Sequence, residues 1–201
     1  MPSERAALYA KAFPDFPPLR ADDRWLDGMW VMGNNFKGSG FYGAYPPAYL
    51  RRVLSMFPEV EPGRILHLFS GSLDDSVPGV RFDLIGNEDD GSRHPTVVGD
   101  AHDLANCFPA DSFDLVLADP PYTDEDAARY GTPAVRRNEV LRQLRSVVAQ
   151  GGNVVWLDQV LPMFSKRDWH LWGLIGIVRS TNHRFRVASM FRAAEKESPD
   201  A

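Results

Sequence analysis

The apolar run from Phe113 to Ala118 ends abruptly in Asp119-Pro120-Pro121-Tyr122. Neither proline can donate to a sheet ladder, and each disfavours helix in the residue before it, so a strand must stop here and the chain must turn. A carboxylate and an aromatic ring emerge together from that rigid turn. Asp119 and the carbonyl of Pro120 can be aimed at one exocyclic amine, while Tyr122 offers a ring face to a flat base, an arrangement suited to amine methylation. The plain alternative is an Asp-Pro turn closing a buried strand.

Similar short apolar runs flank this one. Arg64 to Phe69, Val80 to Ile85, Thr96 to Val98 and Asn153 to Leu157 read as strands, bounded by glycine, acidic or polar turns. Leu171 to Val178 and Phe185 to Phe191 read as a terminal hairpin about the polar turn Ser180 to Arg184. Helical spacing predicts a helix over Ala48 to Phe57, opened by Pro46-Pro47, and another over Glu125 to Ala149, interrupted near Gly131-Thr132-Pro133. Strands alternating with helices imply an α/β fold: a mostly parallel sheet of about seven strands, with the hairpin supplying one antiparallel strand. Residues 1–40 are aromatic, proline-rich and irregular, an arm packing on the core. Residues 41–194 form the domain, and 195–201 a frayed tail.

A chain of 201 residues with 44% hydrophobic content supports one buried core. Its net charge of −5 excludes a protein that coats nucleic acid through a generally basic surface, but not a local patch. Two groups of arginines qualify: Arg129, Arg136, Arg137, Arg142 and Arg145, then Arg179, Arg184, Arg186 and Arg192. On helical faces such residues are commonly just solvated. The single Cys107 excludes an internal disulfide and a multi-cysteine metal site, and the five histidines share no ligand spacing, so no metal is expected. With no signal-like or membrane-spanning run, the expectation is a soluble protein of the reducing cytoplasm.

The run Ile65 to Phe69 leads into Ser70-Gly71-Ser72, a tight turn where an open α/β sheet receives its ligand. Asp83 follows in the next strand, able to take ribose hydroxyls, with Glu88 the competitor if that strand runs further. Asp100 follows the third strand and can face an adenine edge. Asp83, Asp100 and Asp119 would line one rim of the sheet. His67 reads as a core or pocket-wall residue, and His102 as either structural or part of the adenine site.

On these residues the chain resembles class I S-adenosylmethionine-dependent amino-methyltransferases with a DPPY motif, as in DNA adenine or cytosine-amino methyltransferases. The likeness spans roughly Tyr42 to Phe191. Phe69-Ser70-Gly71-Ser72 matches that family's Phe-x-Gly-x-Gly motif in its first glycine, with Leu73 in place of the second. The resemblance implies a Rossmann-like methyltransferase fold and S-adenosyl-L-methionine as cofactor. It implies that Phe69, Ser70, Gly71 and Ser72 touch the cofactor, that Asp83 holds its ribose, and that Asp100 with the Ala101 backbone holds its adenine. Asp119, Pro120, Pro121 and Tyr122 would then receive the target amine. Phe41 to Pro47 resembles the motif that closes over the cofactor's methionine end through Tyr45, which reads equally as a staple on the following helix. The implied substrate is a nucleic acid base, adenine in DNA before RNA, with a catalytically silent subunit of a larger complex as the rival. No segment is long enough for a separate sequence reader, so a specificity partner or a homodimer is an open expectation.

Overall fold

A computed structural model describes residues 1–33, 45–46, 48–86, 94–179 and 185–195. Parts of three expected features lie outside these residues: the segment from Phe41 to Ala44 with Pro47, the competing acid Glu88, and the hairpin turn Ser180 to Arg184.

The expected α/β fold is present, built among the described residues on a sheet of nine strands, where about seven are expected. The strands are β1 (Arg20–Ala21), β2 (Leu26–Met32), β3 (Ile65–Leu68), β4 (Val80–Asp83), β5 (Val97–Val98), β6 (Phe113–Ala118), β7 (Val148–Asp158), β8 (Trp169–Arg179) and β9 (Phe185–Ala193). They lie in the order β1-β2-β8-β9-β7-β6-β3-β4-β5. Strands β5, β4, β3, β6 and β7 are mutually parallel and reproduce the doubly wound order 3-2-1-4-5, whose reversal between β3 and β6 opens a crevice at the C-terminal strand ends. Strand β9 runs antiparallel between β7 and β8, as the terminal hairpin predicts.

The two additional strands come from the arm. The sequence reads as irregular there, yet Leu26–Met32 pairs in parallel along β8, and Arg20–Ala21 caps it as an antiparallel edge. Before them, α1 (Pro2–Ala12) packs Ala6 and Tyr9 into the core.

Alternation along each strand sends side chains into two layers. One holds Ile65, Leu115, Leu117, Val155 and Leu157, covered by the arm and α2 (Tyr49–Leu54). The other holds Leu66, Leu68, Val116, Ala118, Val154 and Trp156, covered by α3 (Leu104–Cys107) and α5 (Arg137–Val147). Expected as one interrupted helix, 125–149 splits into α4 (Asp124–Arg129) and α5, because Gly131 takes a left-handed φ of 69° and Pro133 follows. The tail of that span enters β7. No helix among the described residues is long and apolar enough to cross a membrane.

Candidate active site

Because the strands are parallel, their C-terminal ends share one rim. Asp83 closes β4, Asp100 follows β5, and Asp119 follows β6, so the three acids singled out from sequence stand along it. A fourth, Asp158, closes β7.

At the crevice, β3 runs into Phe69 and Gly71, which adopt left-handed φ values of 62° and 51° and fold the chain back across the strand ends. The Gly71 amide donates to Asp83 Oδ2 at 2.8 Å, and the Ile85 amide donates to Oδ1 at 3.2 Å. Asp83 therefore holds the loop against its neighbouring strand. The hydroxyls of Ser70 and Ser72 are buried without a hydrogen-bond partner. Such hydroxyls are costly unless something accepts or donates to them, so the loop suits a polar ligand.

Asp100 caps a 3-10 turn over Ala101–Asp103, its Oδ1 accepting from the His102 amide at 2.8 Å and contacting His102 Nδ1 at 2.6 Å. His102 Nε2 accepts from the Arg136 amide at 3.1 Å, which puts the ring proton on Nδ1, facing Asp100. Burial raises the Asp100 carboxyl, but the two His102 contacts outweigh it and the net shift is downward. His102 is thus a structural brace. His67 is fully buried, its Nε2 3.0 Å from the Pro78 carbonyl and its ring edge-on to Tyr45, and burial lowers its pKa.

Asp119 is half-buried between β6 and its surroundings. Tyr122 donates its hydroxyl to Asp119 Oδ1 at 2.5 Å, closing the double-proline turn into a ring. Burial pushes the Asp119 carboxyl up to about 7; the Tyr122 bond and Arg186 oppose this, and Asp158 adds to it. Tyr45 stacks on Tyr49 with centroids 5.5 Å apart and donates to the Leu117 carbonyl at 3.3 Å. Burial, then the nearby Asp119, push both phenols well above their usual range.

Two site residues, Tyr49 and Asp158, escaped the sequence reading, and a third, Arg186, reads there only as part of a basic patch. Tyr49 reads as helix core, yet its buried hydroxyl has no partner. Arg186 sets its guanidinium 4.8 Å from the Tyr122 ring centroid, so one ring face already carries a cation and a stacked base would need the other. Asp158 is wholly buried and binds Arg137 Nε at 2.6 Å, while Arg137 Nη2 donates to the Tyr122 carbonyl at 2.6 Å. No local pattern marks these contacts, which join residues far apart in sequence.

Three members of the first arginine group have partners of their own. Arg137 serves the turn, Arg145 donates to the Ala194 carbonyl, and Arg136 pairs with Glu139. Helix α5 points its apolar stripe at the sheet and commits Arg137 and Arg145 to internal contacts, while Arg142 stays exposed. Beside the turn lies an open cleft of about 370 Å³ lined by Thr123, Glu125, Asp126, Arg129, Gln159 and Phe185. Among the described residues no group of three or more His, Cys, Asp or Glu side chains could hold a metal ion.

The sheet order and its crevice define a Rossmann-like domain with a ligand rim. No family model and no curated protein matches the sequence. Solved structures with partial likeness include the antibiotic-resistance methyltransferase Kmr, at 13% identity and a TM-score of 0.44, covering 77% of this chain and 97% of that one. The carbon methyltransferase of CurJ matches at 10% identity and a TM-score of 0.43, over 72% of this chain, which spans only about half (53%) of that protein's length. The aminoglycoside resistance methyltransferase NpmB1 matches at 18% identity and a TM-score of 0.31, covering 56% of this chain and 63% of that one. At such scores these likenesses carry no weight beside the topology and the site.

Proposed function

We infer that the chain transfers a methyl group from S-adenosylmethionine to the exocyclic amine of a nucleobase, with adenine in DNA as the substrate. The observation that carries this is the Asp119–Tyr122 pair at the topological switch, one loop away from the unpartnered Ser70 and Ser72 hydroxyls. The cofactor, when bound, supplies an electrophilic methyl on a sulfonium. Ser70 and Ser72 would meet its methionine end, Asp83 its ribose, and Asp100 with Ala101 its adenine.

Asp119 and the Pro120 carbonyl accept hydrogen bonds from the amine and hold its nitrogen in line for attack. Positioning and stabilisation of the charge developing on nitrogen do most of the work. A carboxyl near 7 is still far too weak a base to deprotonate a neutral aryl amine beforehand. It is well matched to take the proton from the methylated ammonium afterwards. Arg137, anchored on Asp158, fixes the Tyr122 carbonyl and with it the turn.

Tritium transfer from labelled cofactor to plasmid DNA and to total RNA tests the reading, with Asp119→Ala as the inactive control. Label in DNA adenine, lost in the variant, is expected. Label confined to RNA would replace DNA by RNA, and a protein that binds cofactor yet labels neither would be a silent subunit.

A further inference from the structure

We propose that Arg179 and Arg186 together hold a backbone phosphate of the strand that carries the target base. The inference rests on the amine-methylation reading, and adds to it the residues that would hold the backbone of the substrate strand.

Arg179 ends β8 and Arg186 lies one residue into β9, both on the shared rim. Arg186 is registered opposite Ile177, so Arg179, two residues further along β8, is its diagonal neighbour on the same face. Diagonal neighbours stand about 7–8 Å apart, within reach for long side chains. That face also carries Ile175, Ile177, Ala188 and Met190 in the layer to which Leu117, and hence Asp119, belongs. Two guanidinium groups on neighbouring positions of one face repel each other, and an anion bound by both would relieve that repulsion. Each leaves its Nε buried without a hydrogen-bond partner. A phosphate oxygen accepting from both would satisfy these donors, in the side-on geometry guanidinium favours.

Location supports the same ligand. Arg186 lies over one face of Tyr122, so an anion on Arg186 sits one nucleotide's reach from a base on the other face. The cleft beside the turn, which reaches Phe185 next to Arg186, is lined by Glu125 and Asp126 as well as Arg129. Helix α5 commits Arg137 and Arg145 elsewhere. The hairpin pair, with its unpartnered donors, is therefore the candidate anchor for a phosphodiester strand.

The test measures binding of a fluorescent single-stranded oligodeoxynucleotide with one adenine, over a salt series, to wild type, Arg179→Gln, Arg186→Gln and the exposed control Arg142→Gln. Inorganic pyrophosphate serves as competitor. Each hairpin variant should bind about ten-fold more weakly at low salt and lose about 0.7 from the log–log salt slope, one phosphate contact's share on a single strand. Arg142→Gln should match wild type, and pyrophosphate should compete for the strand with wild type but not with a variant carrying both Arg179→Gln and Arg186→Gln. Arg186→Lys, which keeps the charge, should retain the slope and guards against a folding defect. An unchanged slope in both glutamine variants, an equal loss in Arg142→Gln, or failure of wild type to bind the strand overturns the site. Wild type that binds with the predicted slope but transfers no methyl group leaves the phosphate site standing and removes the methylation reading.

Discussion

Arg137 joins its guanidinium to the wholly buried carboxylate of Asp158 while its other arm holds the Tyr122 carbonyl at 2.6 Å. Removing the cation strands a buried charge, which typically costs about 3–5 kcal/mol. Arg137→Ala should lose stability on that scale in urea denaturation. Arg137→Lys should recover part of the stability but little activity, since one ammonium cannot span both acceptors. A loss below about 1 kcal/mol in the alanine variant would show that the pair holds nothing in place.

The acidity of Asp119 sets a pH dependence. Its folded pKa of about 7 lies above the unfolded value of about 3.9, so between these the folded state keeps a proton that the unfolded state has released. Stability from this group is complete below about pH 4 and falls as pH rises through 7. Asp119→Asn should therefore be inactive, more stable than wild type at pH 8 by up to about 4 kcal/mol, and indistinguishable from it near pH 4. Thermal melts at the two pH values check this, and equal gains at both would refute it.

For the reaction, the anion is the competent form, so the rate should climb as pH passes through about 7. The Tyr122 hydroxyl helps to hold that carboxyl down. Tyr122→Phe should shift the midpoint upward and approach wild-type rates at high pH, whereas Tyr122→Ala should be damaged at every pH through loss of the ring. A pH–rate profile of the phenylalanine variant that overlays wild type would remove the hydroxyl from the account.

Asp83 ties the turn after β3 to β4 through Gly71 and Ile85. Asp83→Ala should weaken S-adenosylmethionine binding and cost about 1–3 kcal/mol of stability, because two amides lose their acceptor. Asp83→Asn, which keeps one oxygen, should fall between. Calorimetry giving unchanged affinity in the alanine variant would place the cofactor elsewhere.

Gly79 has a φ of +134°, and a Cβ there would stand 2.7 Å from the His67 ring. Gly79→Ala should destabilise by about 1–3 kcal/mol through strain and crowding. It should also disturb Tyr45, which meets the same ring edge-on. A melting temperature equal to wild type would show that His67 can move aside freely.

Much of the central sheet was legible because its signals are local. Strand β6 matches the expected run from Phe113 to Ala118 in full, since an apolar stretch closed by two prolines leaves no other reading. The rim acids followed from parallel strands. Strand β2 was missed: Leu26, Trp30 and Met32 face inward while Met29 and Val31 are exposed, so the run shows no clean alternation of polar and apolar residues. Arg137 and Asp158 likewise look like ordinary solvated charges until the fold brings them together.

The pairing of β2 with β8 has a consequence for how the chain is made. Leu26 is registered against Gly173, and Met32 against Arg179, so β2 leaves the ribosome long before the strand it pairs with. Loop closure over that span is slow, and an apolar strand held without its partner is prone to pair with the wrong one. Until β8 arrives, Trp30 and Met32 have only the earlier arm and α2 to shelter them. Completion of the sheet is thereby tied to the synthesis of β8 and β9, and the Arg179–Arg186 pair comes together only when that hairpin forms.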